Sequence, residues 1–358
     1  MDISKIDKNL KVESSIERDD LVWFNASEEP FKIYGACGCD PYYRLPIEVA
    51  ENTNEGVKGL NYHTSGIRVR FRTNSPFIAI KAEWKNQTKM PHMPFSGISG
   101  FDLYRYHEGT QEYLKSFIPP VDAPHGYESI IDLQYGMCDF VINFPLYNSV
   151  DKLYIGLSAD AQFEESANYK YEKPIVFYGS SITQGGCASR PGNSYQSLLS
   201  QKLDFDFINL GFSGSAHGED AIAEYMAGLN MSVFVSDYDH NAPTVEHLEK
   251  THYKLYETVR SKQPDIPYII MSRPNIDLSP YVATQAHFDN LERRNITFKT
   301  YQKALENGDK NVYFVDGAAI FNCDVYDSCT VDGTHPNDIG FYQFYKALCP
   351  ILKKILHN

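Results

Sequence analysis

Over residues 1–160 the chain alternates apolar and polar side chains in short runs. Ile67-Arg68-Val69-Arg70-Phe71-Arg72 sets an apolar residue against an arginine at every step, and Thr73-Asn74-Ser75-Pro76 closes the run. Phe77-Ile78-Ala79-Ile80-Lys81-Ala82-Glu83-Trp84 follows at hairpin distance, and residues 101–106 and 153–157 repeat the style. Successive side chains on a strand point to opposite faces, so a period of two predicts strands. Short strands between turn signals, with few helical patterns among them, predict a β-sandwich or jelly roll. The three arginines share one strand face, which reads as a solvated surface or as a binding surface.

From about Pro174 the period changes. Mostly continuous apolar runs at 175–178, 205–210, 233–237, 268–271 and 312–315 are separated by helical stretches. Strands that are apolar on both faces belong to a parallel sheet covered by helices on both sides. Tyr195, Leu198, Leu199 and Leu203 recur at helical spacing behind Asn193-Ser194, which supplies a cap. Residues 246–262 and 283–306 carry helical spacing too, and 340–356 closes the chain with Pro350 set to kink it. The polar stretch 161–173 reads as a junction. The expected organisation is an α/β chain in two parts: an N-terminal β-sandwich domain over 1–165 and a parallel α/β domain over 174–358.

Composition narrows the function classes. The chain has 358 residues, enough for two domains at roughly 100–200 residues each. A content of 42% hydrophobic and 22% charged residues excludes a disordered chain, a coiled coil and a collagen-like fibre. No apolar run reaches the ~18 residues that a membrane-spanning helix needs. Lys+Arg number 33 against 46 Asp+Glu, a net charge of −13. Without a basic tract, that balance argues against a nucleic acid or an anionic membrane as partner. The seven cysteines are an odd number and show no zinc-site spacing. They read as buried free thiols, or with Cys323 and Cys329 joined as a loop disulfide, which needs an oxidising compartment. Met1-Asp2-Ile3-Ser4-Lys5 has no apolar h-region, so no signal peptide is read in the chain as written. An extracytoplasmic home then requires that an export signal has been trimmed.

The chemistry gathers where open α/β sheets place their sites, beyond the C-terminal ends of the strands. Gly179-Ser180-Ser181-Ile182-Thr183-Gln184-Gly185 follows the first parallel strand and Gly211-Phe212-Ser213-Gly214 the second. Asp237-Tyr238-Asp239-His240-Asn241 follows the third, and Asp332-Gly333-Thr334-His335-Pro336 comes after the fifth. Asp332 and His335 can meet on one loop, so that the carboxylate holds one imidazole nitrogen and the other is left as a base. Pro336 biases His335 toward extended backbone, which suits a projecting side chain. Ser181 lies in a strand-to-helix turn, as a nucleophile or as a cap. Gly214 offers a bare N–H and Asn241 an amide to a developing oxyanion, although both also suit plain turns.

Together these blocks resemble the SGNH (GDSL-like) hydrolase family, with Ser181, Gly214, Asn241 and His335 in the family's chain order and Asp332 three residues before the histidine. The resemblance covers about 174–358. Ser180-Ser181-Ile182-Thr183-Gln184-Gly185-Gly186 and Ser189-Arg190-Pro191-Gly192 look like a two-domain subgroup with an N-terminal β-sandwich; Arg44-Leu45-Pro46 and Met90-Pro91-His92-Met93 are similar to that subgroup's first domain. The resemblance implies a flavodoxin-like three-layer α/β/α hydrolase domain behind a jelly-roll-like β-sandwich. It also implies a serine esterase, often acting on acylated carbohydrate, with Ser181 as nucleophile, His335 as base and Asp332 behind it. The implied oxyanion hole is Ser181, Gly214 and Asn241, with no metal or organic cofactor. Two blocks depart from the family pattern. Ser180 replaces the Asp of Gly-Asp-Ser-Leu, and Asp239-His240-Asn241-Ala242 keeps only the Asn of the third block. His217 and His240 become extra imidazoles, read as structural or substrate-contacting groups. A short acyl group such as acetyl is expected, because no long apolar segment suggests a lipid-binding lid.

Two other readings compete. Asp237, Asp239, His240 and His335 would make a hard-ligand set for a metal-dependent hydrolase, which leaves the Ser181 and Gly214 blocks unexplained. The Tyr-rich β-sandwich over a decayed hydrolase would make a non-catalytic carbohydrate-binding protein.

Overall fold

The structure, a computed structural model, describes residues 16–107, 109–274 and 285–357. The pentapeptide read at the N-terminus and residues 283–284 of the expected long helix lie outside the described residues. The chain folds into two compact units that are not contiguous in sequence. The first takes the residues up to Tyr43, Tyr62–Asn168 and Ser189–Gly192; the second takes Arg44–Asn61, Tyr169–Ala188 and the chain from Asn193 onward.

The first unit opens with β1 (Leu21–Asn25) and β2 (Lys32–Tyr34). The chain then leaves it for α1 (Ile47–Thr53) and α2 (Glu55–Leu60), and returns for β3 (Arg68–Thr73), β4 (Phe77–Glu83), α3 (Phe95–Ile98) and β5 (Phe101–His107). It continues with β6 (Thr110–Phe117), β7 (Gly126–Asp132), β8 (Cys138–Asn143), β9 (Lys152–Ser158) and β10 (Phe163–Glu164). Two antiparallel sheets result, ordered β1-β9-β4-β7 and β10-β3-β8-β5-β6, with β2 also on β3. Val69, Phe71, Leu103 and Ile142 of one sheet and Ile78, Ile80 and Ile155 of the other share one buried core, which makes the unit a β-sandwich.

Two local expectations are corrected here. The runs at 67–72 and 77–84 are strands but not a hairpin, because β3 pairs with β2, β8 and β10 while β4 pairs with β7 and β9. The four residues between them turn a corner from sheet to sheet. Ser75 Oγ donates to the Phe77 carbonyl at 2.6 Å and accepts from Ser158 N–H at 3.0 Å, and Leu133 N–H donates to the Pro76 carbonyl at 2.7 Å. The arginine face is not a solvated surface either, since Arg68 and Arg70 are 2% and 0% exposed. Arg68 donates to the Gly66 carbonyl at 2.7 Å and lies over Tyr34, and Arg70 lies 4.7 Å over the Tyr106 ring. Arg72 stays partly exposed and pairs with Asp139 at 3.2 Å.

The second unit is built on β11 (Tyr171–Gly179), β12 (Phe205–Gly211), β13 (Val233–Asp237), β14 (Tyr268–Met271) and β15 (Val312–Val315), all parallel, in the order β12-β11-β13-β14-β15. The helices are α4 (Ser181–Gln184), α5 (Tyr195–Leu203), α6 (Asp220–Ala227), α7 (Val245–Lys262), α8 (Gln285–Glu306) and α9 (Asp338–Leu356), the last running on through Pro350. Alternate residues of β11 show the layers. Val176 and Tyr178 join the core with Ile222 of α6 and Leu255 of α7, while Phe177 packs on Tyr195 of α5, which stacks on Phe344 of α9. This is the flavodoxin-like three-layer arrangement. Its strand order reverses at β11, so the loops after β12, β11 and β13 open together at the switch point.

The helix pair α1–α2 belongs to this unit through one buried guanidinium. Arg44, 1% exposed, donates to the carbonyls of Asn209 (3.1 Å), Gly211 (2.7 Å) and Leu60 (2.8 Å), and lies 4.4 Å over the Phe212 ring.

Candidate active site

The turn after β11 is set by small residues. A Cβ on Gly179 would stand 2.2 Å from both the Asp237 carbonyl and Thr183 Oγ1, so only glycine fits. Ser180 then caps α4, its Oγ accepting from Ile182 N–H at 3.2 Å, and is fully buried. The residue that departs from the Gly-Asp-Ser-Leu pattern is thus a cap. Ser181 is the first residue of α4 and 8% exposed. The helix is anchored at the Thr183 carbonyl, which accepts from Gln196 Nε2 and Asn209 Nδ2, each at 2.7 Å.

Asp332 and His335 sit on the tight loop before α9. Gly333 turns the backbone, and Val331 N–H donates to the His335 carbonyl at 3.0 Å. Asp332 Oδ1 accepts from the N–H groups of Thr334 (2.9 Å) and His335 (2.7 Å), and Oδ2 lies 2.7 Å from His335 Nδ1. A carboxylate accepts only, so Nδ1 carries the proton. His335 Nε2 then faces Ser181 Oγ at 3.0 Å. Partial burial works against the Asp332 charge, but the bonds from His335 and Thr334 outweigh it and bring the group from 3.8 down to about 2.

That depression fixes the sign of one pH effect. A carboxyl whose folded pKa lies below its unfolded value adds stability above the unfolded value and loses it as pH falls through the folded one. The melting-temperature gap between the wild type and Asp332→Asn should therefore close as pH falls from about 4.5 toward 2. Thermal melts across that range check it; a gap that closed near neutral pH would contradict it.

The oxyanion candidates lie on the two neighbouring strand ends. Gly214 has φ +67°, and a Cβ there would meet nothing within 4 Å. Asn241 Oδ1 is buried with no donor among the described residues, so this amide oxygen is not committed elsewhere. Next to it, burial and the neighbouring cations Arg273 and Arg293, with His335, hold the His240 imidazole well below its usual range, so it is neutral. Burial and then Asp239 push Asp237 up; burial pushes Asp239 up against its bond from Arg273 N–H. Among the described residues, Asp237, Asp239, His240 and His335 do not converge as a set of metal ligands. The Cys323 and Cys329 sulfurs stand 3.8 Å apart and are not joined, and burial with the neighbouring thiol raises Cys329 to about 11.

Around Gly214 the structure adds residues that the sequence did not single out. Asn54, the cap of α2, donates to the Ser215 carbonyl at 2.9 Å and to Glu219 Oε1 at 2.5 Å. Glu219 Oε1 lies 3.3 Å from His217 Nδ1, and His217 Nε2 lies 3.2 Å from the Gly214 carbonyl. The bond to Glu219 raises the His217 pKa; partial burial of Glu219 is outweighed by its bonds to His217 and Asn54, which lower it.

Residues 172–353 match the GDSL-like lipase/acylhydrolase family, and residues 21–163 match GxDLY, the N-terminus of SGNH-hydrolase-type esterases. No curated protein matches the chain. Among solved structures, a protein described as a GDSL-like lipase from Bacteroides ovatus is 28% identical, with a TM-score of 0.84 over 94% of this chain and 98% of that one. The salicylyl-acyltransferase SsfX3 of a tetracycline biosynthetic pathway is 19% identical (TM-score 0.78, 95% and 98% covered). A family two carbohydrate esterase from Cellvibrio japonicus is 11% identical (TM-score 0.57, 94% and 98% covered). These last two share the fold.

Gly100-Phe101-Asp102-Leu103-Tyr104 spells the motif for which the first domain is named. In the first unit Asp102 is fully buried and accepts from Asn143 Nδ2 (2.8 Å), Gly192 N–H (2.7 Å) and Arg190 Nη1 (3.1 Å). It thereby holds the Ser189–Gly192 segment within that unit. A lone Asp in the apolar run 101–104 was the available signal. The chain belongs to the GDSL-like lipase/acylhydrolase family and is an SGNH-type esterase.

Proposed function

We propose that this esterase removes a short acyl group, acetyl first, from an acylated carbohydrate through an acyl-enzyme on Ser181. The observation that carries the reading is the chain of contacts from Ser181 Oγ to His335 Nε2 at 3.0 Å and from His335 Nδ1 to Asp332 at 2.7 Å. His335 takes the hydroxyl proton as Ser181 attacks the ester carbonyl, and ionised Asp332 stabilises the imidazolium. The N–H groups of Ser181 and Gly214 and the Asn241 amide receive the oxyanion, one such donor contributing about 2.7–4 kcal/mol. His335 then protonates the leaving alcohol and activates the water that frees Ser181.

The acyl and alcohol parts of the reading rest on two further points. The chain has no long apolar segment to cover a lipid tail, and the family two carbohydrate esterase from Cellvibrio japonicus shares its fold. A series of aryl esters of graded chain length, run beside acetylated sugars, tests both. The expected result is the highest kcat/KM on the acetyl ester and release of acetate from the sugar. Rates that climb with chain length, or no acetate from any sugar, would overturn the substrate assignment.

A further inference from the structure

The loop 212–219 after β12 is pinned at several backbone groups. Ser213 N–H donates to Gln184 Oε1 at 2.9 Å, Ser215 N–H to the Phe212 carbonyl at 2.9 Å and Gly218 N–H to the Tyr178 hydroxyl at 2.9 Å. The Ser215 carbonyl accepts from Asn54 at 2.9 Å, and the His217 carbonyl lies 2.8 Å from His247 Nε2. The Gly214 N–H, by contrast, has no acceptor among the described residues. Glycine has more backbone freedom than any other residue, so an N–H on it points consistently only if its peptide neighbours are held. On the carboxyl side that hold is His217 Nε2 on the Gly214 carbonyl.

The His217 ring is held in turn. Its Nε2 faces a carbonyl and its Nδ1 faces Glu219 Oε1, two groups that only accept. Both nitrogens thus face acceptors, an arrangement that the protonated ring satisfies at both ends, and the bond to Glu219 favours that form. Asn54 of the α1–α2 pair donates to the same carboxylate oxygen. Gly56 of α2 packs so closely on this loop that a Cβ would stand 2.0 Å from Ser215 Oγ.

We infer that His217 is a positioning residue for the oxyanion: braced by Glu219 and Asn54, it holds the Gly214 carbonyl and so aims the Gly214 N–H at the place where negative charge develops. The inference rests on the reading of Gly214 as an oxyanion donor. It assigns His217 no proton transfer to or from the substrate and no contact with it.

Steady-state kinetics on p-nitrophenyl acetate test it. His217→Ala should lower kcat by about 10- to 100-fold, a part of what losing one oxyanion donor outright costs, with KM within about twofold of wild type. His217→Gln, whose amide can still donate to the Gly214 carbonyl, should recover a clear part of that loss. Glu219→Gln leaves the ring in place and should show a smaller loss, again in kcat alone. The double variant His217→Ala/Glu219→Gln should be no slower than His217→Ala, because Glu219 acts through the ring. A His217→Ala enzyme within twofold of wild type in kcat overturns the inference, as does a loss confined to KM. Glutamine no better than alanine overturns it too. If His217→Ala does not fold, unchanged kcat in Glu219→Gln does the same. Ser181→Ala assayed alongside separates the two levels: full activity there sinks the underlying catalytic reading, whereas its loss beside an unaffected His217→Ala sinks the positioning role alone.

Discussion

Ser181→Ala will lower kcat for an aryl acetate by on the order of 10⁴- to 10⁶-fold while the protein keeps its melting temperature. The size follows from the mechanism. Without the hydroxyl no acyl-enzyme forms, and what remains is the effect of the oxyanion donors and of binding on direct attack by water. The fold is spared because the cap of α4 is Ser180, whose Oγ accepts from Ile182 N–H, and the helix is anchored through Thr183. Ser180→Ala should show the inverse pattern, a loss of about 1 kcal/mol of stability with the nucleophile retained. A phosphonate reagent followed by peptide mapping gives an independent readout, with the label expected on Ser181. Label on Ser180, or an alanine variant with wild-type turnover, would remove Ser181 from the mechanism.

Arg44→Met will cost stability on the order of 3 kcal/mol, a drop of roughly 6–12 °C in Tm. Methionine replaces much of the buried volume, so the loss is one of hydrogen bonds. The Asn209, Gly211 and Leu60 carbonyls each accept from the guanidinium, and two of them lie at the end of β12. Water cannot easily replace it at a side chain 1% exposed. Lysine keeps the charge but lacks the fork that reaches three acceptors on two segments, and should fall between the two. Differential scanning calorimetry reads the effect directly; a Tm within about 2 °C of wild type would show that the carbonyls find other donors.

The second unit was the more legible part of the sequence. Its strands contain apolar runs of 4–6 residues that differ from their neighbours in pattern, and each of the five includes its run, although β11 begins earlier, at Tyr171, within the stretch read as a junction. The Ser181–His335–Asp332 contacts were within reach of the sequence because Ser181 directly follows β11 and Asp332 and His335 stand three residues apart on one loop before α9. Arg44, Asn54, Glu219 and Asp102 were not, because what matters about them is a partner far away in sequence. Asn54 caps α2, but nothing local shows that its other hydrogen bonds go to residues 215 and 219. The helices α1, α2 and α6 span only two turns or so, too few for a helical period to stand out. In the first unit alternation located β3 and β4 but not their sheets, since a period of two says which side chains face alike and not which strand lies alongside. The buried Arg68 and Arg70 show the same limit: charge marks a face as different without saying what covers it.

The interleaving of the two units has a consequence for synthesis. Leu45, Ala50 and Val57 belong to the core that also holds Leu210, Phe212 and Ile222, and Arg44 bonds to carbonyls 165 and 167 residues further along. At about 5–20 residues per second, those partners leave the ribosome roughly 8–33 s after Arg44 does. Throughout that interval the nascent chain carries a short helix pair, with Ala50 and Val57 on its inner side, and a guanidinium whose native environment has not yet been made. The β-sandwich strands on either side are available to fold first, with this segment held out as a loop. A fragment that begins near residue 170 never receives it. Such a fragment would be translated with Ser181, His335 and Asp332 all present, but without Arg44 for the Gly211 carbonyl and without Asn54 for the Ser215 carbonyl and Glu219.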